Sequence, residues 1–363
     1  MKKICFFSGD ISRSGGTERV GTIIANKLSE KGYDVRILSM WDSGKPFFFV
    51  DENIQVDYLL NRTREGKLYR TVIYPIIKLK KYIVENDIDI MIDIDTLLSY
   101  YTTRAIQRTK CKLISWEHFN YWAMDRLGEP KRYKAKKLIK KYASAMVVLT
   151  DEDRIMHNQQ YELPENFVET INNPCLSNVK VDYKFENKTF VSVGRLTYQK
   201  GYEKLLEAWS MIENDIPDWK LIIVGTGELE RSLKDKKNEM NLKNVFFPGH
   251  TDNVGDFYKE ASAYVLSSVY EGFPMVILEA QSYGLPVISF DCKTGPKDLI
   301  ENNKTGFLVK DGDSKELARK MLKFTKDEKS AVQMSNRVRQ NIQKYNLETI
   351  ILKWCKLIDS LLR

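Results

Sequence analysis

The chain alternates short apolar runs with amphipathic segments of helical length, and it does so twice. Such alternation predicts parallel sheets covered by helices on both faces. A polar, strand-poor stretch at 174–188 separates the two series. We therefore predict an α/β chain of two doubly wound, Rossmann-like parallel-sheet domains facing a cleft, with ligand at the carboxyl ends of the strands. The predicted strands lie near 3–7, 34–39, 88–93, 112–115 and 145–149, then near 189–193, 220–224, 244–247, 263–267, 286–290 and 307–309.

The length of 363 residues also fits about two domains. We predict a first domain over 1–178 and a second over 185–345. The amphipathic segment 346–363 is expected to form a helix that packs back on the first domain.

Composition and charge exclude several classes of protein. No apolar run reaches the roughly 18 residues of a membrane span, and the five cysteines show no paired spacing, which favours a reducing, cytoplasmic compartment. The net charge is +8, and residues 1–180 hold 29 Lys and Arg against 23 Asp and Glu. This excess in the first half predicts an anionic partner there.

Two glutamates, Glu271 and Glu279, are separated by seven residues. Pro274 suits the first position of a helix between them. The free N–H groups of Met275 and Val276, with the positive end of the helix dipole, would form an anion site. This arrangement suits a nucleotide diphosphate sugar, with sugar hydroxyls at Glu271, phosphate at the helix end and ribose at Glu279.

Further donor contacts are expected on neighbouring loops of the second domain. Gly194, Arg195 and Lys200 follow its first strand, and the two cations could neutralise a diphosphate leaving group. Gly225 and His250 follow the next two strands, where a plain turn is an equal explanation. The shape of the pocket around Phe273 is expected to help select the donor.

The first domain offers weaker signals. Gly15 and Gly16 precede a predicted helix but lack the glycine spacing of a dinucleotide-binding motif. Their backbone N–H groups could bind a phosphate or a sugar hydroxyl, and a plain turn is the alternative. His118 follows a strand and could hydrogen-bond the transferred sugar, with a structural histidine as the alternative. Asp93 and Asp95 form an Asp-x-Asp pair that could hold Mg²⁺ or Mn²⁺. We do not favour metal, because the cations of the second domain already supply the charge.

A basic helix is the main candidate for a membrane or acceptor contact. A basic amphipathic helix often lies on an anionic membrane, whereas a solvated helix face is the alternative. Arg62 to Lys81 is a second basic stretch. No nucleic-acid-binding module is recognised. The seven cations of the helix are Lys131, Arg132, Lys134, Lys136, Lys137, Lys140 and Lys141.

Taken together, these residues resemble the retaining glycosyltransferases of family four, which have the two-domain GT-B fold. The Glu-x7-Glu pair carries most of the resemblance, and Ser192 to Leu196 with Lys200-Gly201, and Ser14 to Arg19, also match. The resemblance implies a donor held mainly by the second domain, with the diphosphate on the two cations, and no divalent metal or other cofactor. It also implies front-face attack with retention, although double displacement through Glu271 stays open. The implied catalytic residues are Glu271, His118, Arg195 and Lys200.

The resemblance further suggests a bacterial enzyme that assembles capsule, exopolysaccharide or lipid-linked oligosaccharide. It implies a UDP-hexose or UDP-N-acetylhexosamine donor, of galactose type by preference, and a saccharide or polyprenyl-linked acceptor. We expect a peripheral protein on the inner face of the plasma membrane. Two alternatives are a nucleotide-sugar 2-epimerase of the same architecture and a non-enzymatic scaffold for lipid or RNA.

Overall fold

A computed structural model of the chain describes residues 2–61, 71–122, 130–176 and 179–363. The chain divides into two compact units, of which the first is Met1–Pro174 with Glu348–Arg363 and the second is Cys175–Leu347. The predicted boundaries at 178 and 346 lie within a few residues of the points where the chain passes between the units, after Pro174 and after Leu347. The second unit begins at Cys175, earlier than the predicted 185, because most of the strand-poor stretch belongs to it.

The first unit is built on a parallel sheet with strand order β3-β2-β1-β4-β5-β6-β7. Its central strands are apolar and buried on both faces, as expected where helices cover a parallel sheet. The strands are β1 (Lys3–Ser8), β2 (Asp34–Trp41), β3 (Gln55–Leu60), β4 (Ile90–Asp93), β5 (Lys112–Trp116), β6 (Ala145–Val148) and β7 (Val168–Thr170).

The second unit has a parallel sheet of order β10-β9-β8-β11-β12-β13. Strand order reverses beside β8, so the loops after β8 and β11 lie next to each other at the carboxyl edge, where open α/β sheets bind ligands. The strands are β8 (Thr189–Val193), β9 (Lys220–Val224), β10 (Val245–Gly249), β11 (Ala263–Leu266), β12 (Val287–Phe290) and β13 (Gly306–Val309).

Helices connect the strands of both sheets. In the first unit they are α1 (Gly16–Glu30), α2 (Ile73–Glu85), α3 (Ser99–Ala105), α4 (Pro130–Tyr142), α5 (Asp151–Tyr161) and α13 (Leu347–Leu361). In the second they are α6 (Tyr202–Ser210), α7 (Glu230–Glu239), α8 (Val254–Lys259), α9 (Met275–Ser282), α10 (Pro296–Leu299), α11 (Ser314–Thr325) and α12 (Glu328–Asn341).

The prediction of two doubly wound parallel domains is confirmed. Three elements were missed: β3 and β7, which are the outermost strands of the first sheet, and α12. The outer strands are less uniformly apolar than the central ones, so they carry a weaker signal. Helix α12 follows α11 without an intervening strand, which breaks the alternation used for the prediction.

Helix α13 completes the core of the first unit. Its Trp354 is fully buried, and the ring centroid lies 4.8 Å from that of Trp116 at the end of β5. Ion pairs hold its surface, between Lys31 and Glu348 at 2.8 Å and between Lys2 and Asp359 at 2.8 Å. The return of the chain therefore places a large apolar contact directly behind the strand that precedes His118.

Candidate active site

Two loops of the second unit interlock at the point where strand order reverses. Two hydrogen bonds join Gln199 to the loop after β11. The side-chain amide of Gln199 donates to the carbonyl of Tyr270 at 3.2 Å, and the Val269 N–H donates to the carbonyl of Gln199 at 2.8 Å. The Ser267 hydroxyl donates to the carbonyl of Lys200 at 2.8 Å. These bonds fix the Lys200 backbone beside the loop that carries Glu271.

Close backbone packing explains two of the predicted glycines. A Cβ atom at Gly225 would lie 2.0 Å from the carbonyl oxygen of Gly194, which no side chain allows. A Cβ at Gly194 would lie 3.0 Å from the Cε atom of Lys200 and 3.0 Å from the hydroxyl of Tyr202. The glycines thus leave room for the Lys200 side chain, while direct contact with a donor stays a prediction.

Glu271 is buried, and its carboxylate oxygen Oε1 has two hydrogen-bond partners. Lys200 Nζ lies 2.7 Å from Glu271 Oε1, and the Ser268 hydroxyl donates to the same oxygen at 2.6 Å. The Thr294 hydroxyl donates to the backbone carbonyl of Glu271 at 2.6 Å. Sequence reasoning did not single out Ser268 or Thr294. The position of Ser268, three residues before the glutamate on the same tight loop, was the available signal.

The N-terminus of α9 faces this cluster of loops without a side-chain cap. Pro274, predicted to be the first helical residue, is instead the N-cap, and α9 begins one residue later at Met275. Gly295 adopts φ of +92°, and a Cβ there would lie 2.3 Å from Pro274 Cδ, so the two loops are in direct contact. No described side chain caps the helix end, which leaves the N–H groups of Met275 and Val276 able to bind an anion.

Glu279 lies one turn beyond Met275 on the same face of α9, and both are half-buried. The hydroxyl of the buried Tyr258 donates to Glu279 Oε2 at 3.4 Å. Burial, together with Tyr264 and Glu279, raises the pKa of Tyr258 well above its ordinary value, so the phenol stays a hydrogen-bond donor. Tyr258 is therefore a hydrogen-bond partner of Glu279 that the sequence did not predict.

The remaining predicted donor-binding residues of the second unit differ in their exposure to solvent. Arg195 is exposed and makes no ion pair with any described residue, which leaves its guanidinium open to solvent. His250 lies after β10, two strands away from β8, and its exposed ring is 3.3 Å from Asp252. Phe273 is buried, with its ring centroid 6.1 Å from that of Tyr345. The structure thus brings the loops of Lys200 and Glu271 together. Donor contacts of Arg195, His250 and Phe273 stay predictions.

In the first unit, His118 lies at the end of β5 with its ring centroid 4.3 Å from that of Trp116. Burial lowers the pKa of His118 to about 4, although Glu117 acts in the opposite direction. Its Nε2 atom is buried and finds no hydrogen-bond partner among the described residues. A neutral imidazole with an unsatisfied nitrogen can bind a hydroxyl, which agrees with the predicted sugar contact without testing it.

The predicted glycines of the first unit start α1. Gly15 is the N-cap and Gly16 the first residue of this helix. The carboxylate of Glu18 lies against Gly15, with Oε2 2.2 Å from where a Cβ would be. Burial raises the pKa of Glu18. An acidic group therefore already faces this helix end, and a phosphate contact there stays a prediction.

The basic helix α4 differs from its prediction at two positions. Arg132 and Lys136 are buried rather than exposed. Arg132 forms two hydrogen bonds with Asp95, of 2.8 and 3.1 Å, and Lys136 Nζ lies 2.7 Å from Glu117 Oε2. These two cations cannot contact a membrane, because they are bound inside the first unit. The exposed cations of α4 are Lys131, Lys134, Lys137, Lys140 and Lys141.

A buried charged cluster results around Glu117. Burial alone would raise the pKa of Glu117, but Lys136 and Arg132 lower it to about 2. The Thr96 hydroxyl donates to Glu117 Oε2 at 2.8 Å, and Lys136 also contacts the ring of His157. His157 is fully buried. The cluster joins α4 and α5 to the loop that carries His118.

The Asp-x-Asp pair is engaged by other groups. The Ser99 and Thr102 hydroxyls donate to Asp93 at 2.7 and 2.8 Å. Asp95 is held by Arg132. Within the described parts of the chain, no group of three or more His, Cys, Asp or Glu side chains is placed to hold a metal ion. The need for a metal in the reaction stays a prediction.

Comparisons with known proteins identify the class. Residues 14–175 match the family model described as Glycosyltransferase Family 4, and residues 179–341 match that of Glycosyl transferases group 1. A solved structure described as the apo form of the lipopolysaccharide outer core galactosyltransferase WaaB has a TM-score of 0.81 at 22% identity, covering 99% of each chain. The fold and the paired glutamates thus define a glycosyltransferase with two Rossmann-like domains.

Sequence relatives specify the family. An uncharacterised glycosyltransferase of Haemophilus influenzae is 33% identical over 98% of this chain and 99% of its own. The amylovoran biosynthesis glycosyltransferase AmsD of Erwinia amylovora is 29% identical over 99% and 100%. A UDP-Gal:α-D-GlcNAc-diphosphoundecaprenol α-1,3-galactosyltransferase of Escherichia coli is 33% identical over 50% and 48%. The chain belongs to glycosyltransferase family 4 and is a transferase.

One finding bears on membrane association. Among the helices that the structure describes, none combines the length and the apolar character needed to cross a membrane.

Proposed function

We propose that the chain transfers a hexose or N-acetylhexosamine from a UDP-sugar, of galactose type by preference, to a lipid-linked saccharide or polysaccharide precursor, with retention of anomeric configuration. The pathway would be the synthesis of a cell-surface glycan such as a capsule or exopolysaccharide. The observation that carries the proposal is the Lys200–Glu271 pair beside the uncapped N-terminus of α9.

Anion chemistry supports a diphosphate at this point. Lys200 and Arg195 flank one loop, and the N–H groups of Met275 and Val276 add the positive end of a helix dipole. The Glu279 carboxylate, one turn along α9, is suited to accept two ribose hydroxyls. The galactosyltransferase relative of Escherichia coli is named for a UDP-linked donor and a lipid-linked acceptor, which favours the same classes here.

The reaction that we propose is a front-face displacement. The acceptor hydroxyl oxygen forms a bond to the anomeric carbon on the face from which the diphosphate oxygen departs. The departing phosphate takes the proton of the hydroxyl, so no separate protein base is required. Arg195, Lys200 and the α9 end stabilise the charge that develops on the leaving group.

Glu271 is assigned to the donor sugar rather than to covalent attack. Its Oε1 atom accepts from both Lys200 and Ser268, which fixes the carboxylate plane and lowers its nucleophilicity. Lys200 can then serve the carboxylate and the phosphate together. No metal ion or other cofactor enters this proposal, since the cations and helix end supply the charge.

A binding and product experiment tests the proposal. Calorimetry with UDP should show binding that weakens about tenfold or more in Glu279→Gln, because the neutral amide accepts fewer and weaker hydrogen bonds from the two ribose hydroxyls than the carboxylate does. The exposed Glu260→Gln, in the same unit, is the matched control and should bind as the unchanged chain does. Absence of UDP binding, or equal binding by both variants, contradicts the proposed donor site.

With a panel of UDP-sugars and a lipid-linked acceptor, NMR should find the anomeric configuration of the donor in the product. Turnover should survive EDTA. An inverted product contradicts retention, whereas a donor isomerised without acceptor supports the 2-epimerase alternative.

A further inference from the structure

Thr294, on the loop between β12 and α10, has a backbone conformation that is unusual for its residue type. Its φ is +62°, and the residue is fully buried. A β-branched residue is strained in this left-handed region, because its Cβ lies too close to the following carbonyl oxygen. Among the non-glycine residues with positive φ in the described parts of the chain, Thr294 is the one that is β-branched and the one that is buried. Strain of this kind persists where surrounding contacts hold it, and it is enriched at functional sites.

The contacts of Thr294 and its neighbour Gly295 lead to the loop after β11. The Thr294 hydroxyl donates to the backbone carbonyl of Glu271 at 2.6 Å, a shorter contact than the 2.8 Å to the carbonyl of Lys293. Gly295 packs so closely on Pro274 that a Cβ atom would lie 2.3 Å from Pro274 Cδ. Together they hold both ends of the short segment that runs from Glu271 to the N-cap of α9.

The loop after β12 is itself anchored, so it can act as a fixed support. The side-chain amide of Gln281, buried on α9, donates to the carbonyl of Leu299 at 2.8 Å. The Tyr345 hydroxyl donates to the carbonyl of Asp298 at 2.6 Å. The N–H of Asp298 donates to the carbonyl of Gly295 at 3.1 Å, which closes the turn into α10. A support held in this way keeps the Thr294 hydroxyl at one position.

Glu271 is therefore restrained from two sides. Lys200 and Ser268 bind its carboxylate at 2.7 and 2.6 Å, whereas Thr294 binds the main chain from which that carboxylate extends. A group that must meet a sugar hydroxyl has to stay within a fraction of an ångström of its working position. Bonds to the side chain alone would still let it move with the loop.

We propose that Thr294 is a positioning residue, whose hydroxyl fixes the Glu271 main chain so that the carboxylate meets the donor sugar. This inference rests on the proposed donor-sugar role of Glu271. The left-handed conformation is what turns the hydroxyl towards the loop after β11. A hydroxyl that only satisfied a turn would affect stability without any change specific to Glu271.

Amide hydrogen exchange of the full chain tests the main-chain restraint without any ligand. Thr294→Val removes the hydroxyl but keeps the branched shape, and should speed exchange over 268–276 by about fivefold to tenfold, since one hydrogen bond is lost. Thr294→Ser keeps the hydroxyl and should leave this segment as it is. Thr189→Val is the matched control, because Thr189 is also buried and its hydroxyl donates to the carbonyl of Asn187 at 2.7 Å, at the start of β8. It should not change exchange over 268–276.

Kinetics with the UDP-sugar that the unchanged chain turns over test the consequence. The kcat of Thr294→Val should fall about tenfold or more, because the carboxylate is no longer held at the sugar. Thr294→Ser and Thr189→Val should keep most of the kcat. Calorimetry with UDP should give nearly the same affinity for all three variants, since UDP has no sugar for Glu271 to bind.

The positioning role is overturned by unaltered exchange or turnover in Thr294→Val, by equal changes in Thr294→Ser, or by a matching loss in Thr189→Val. Circular dichroism establishes that the variants fold. If Thr294→Val does not fold, Thr294→Gly replaces it under the same criteria, because glycine adopts a left-handed conformation without strain. If the unchanged chain turns over no UDP-sugar, the transferase proposal fails, and exchange still decides whether Thr294 holds Glu271. Failure of the Thr294 predictions in an active chain leaves the transferase proposal standing.

Discussion

Charged side chains near the carboxyl edges of the two sheets differ in burial. In the first unit, Glu117 and Lys136 are buried at 0% and 1% side-chain exposure and are bound to each other. In the second unit, the Lys200 side chain is 16% exposed and Arg195 is open to solvent. A buried pair that is fully satisfied stabilises and orients, whereas partly exposed cations can exchange partners with an anion. The comparison teaches that positive charge count alone does not locate a phosphate site.

The largest effect is expected at the buried cluster. Lys136→Met leaves the Glu117 carboxylate buried without its nearest cation, and should lower the free energy of unfolding by about 3–5 kcal/mol. Denaturant titration measures this change. Lys137→Met, one position along α4 on an exposed residue, should stay within about 0.5 kcal/mol. Similar losses in the two variants would show that the cluster is not a distinct stabilising element.

The next effect is on turnover rather than stability. Arg195→Ala removes a cation that stabilises the leaving group, and should raise the barrier by about 2–4 kcal/mol. The kcat of the purified variant with a UDP-sugar measures this effect. Because Arg195 is exposed, the free energy of unfolding of the variant should differ little from that of the unchanged chain.

Lys204→Ala is the matched control for this variant. Lys204 lies on α6 close in sequence to Arg195, and its exposed ammonium pairs with Glu207 at 3.1 Å. It should retain nearly full kcat. Near-normal turnover in Arg195→Ala would contradict the role of this exposed cation in stabilising the leaving group.

The smallest effect is a pH dependence in the first unit. Burial, assisted by Lys136, lowers the pKa of His157 to about 3. Below the unfolded pKa of about 6.5, the unfolded chain binds a proton at this residue that the folded chain does not. Stability contributed by neutral His157 is therefore present at pH 7 and is lost as the pH falls. Between pH 7 and pH 5 the unchanged chain should lose about 1–2 kcal/mol more than His157→Gln.

Gln160→Ala serves as the control for this measurement, because Gln160 is exposed on the same helix, α5, and carries no ionisable group. The difference in unfolding free energy between this variant and the unchanged chain should not vary with pH over the same range. A His157→Gln variant that follows the same pH profile as the unchanged chain would mean that His157 binds protons equally in the folded and unfolded states, which contradicts the lowered pKa.

The sequence was informative where local order determines position. The βα alternation predicted the two parallel sheets and placed the loops of Lys200 and Glu271 at one sheet edge, where the structure brings them into contact. The Glu-x7-Glu spacing similarly places Glu279 one turn into α9. These inferences needed only the periodicity of the chain and the geometry of a helix.

Contacts between side chains that are far apart in the sequence could not be predicted. Lys136 and Arg132 occur in a cationic run, which is typical of a solvated face, and their partners Glu117 and Asp95 lie on loops far away in the sequence. The partner of Glu279, Tyr258, is on another helix, and Thr294 reaches Glu271 from the loop after β12. Only the tertiary fold brings these groups together, so a local pattern could not predict them.

The return of α13 to the first unit has a consequence for biosynthesis. Trp116 lies against Trp354, and the residues between them in sequence include the whole of the second unit. Since synthesis proceeds from the N-terminus, the first unit cannot close its interior until the second has emerged from the ribosome. A chain interrupted after 347 would lack the tryptophan behind β5, so a truncated product would expose an incomplete core to cellular quality control.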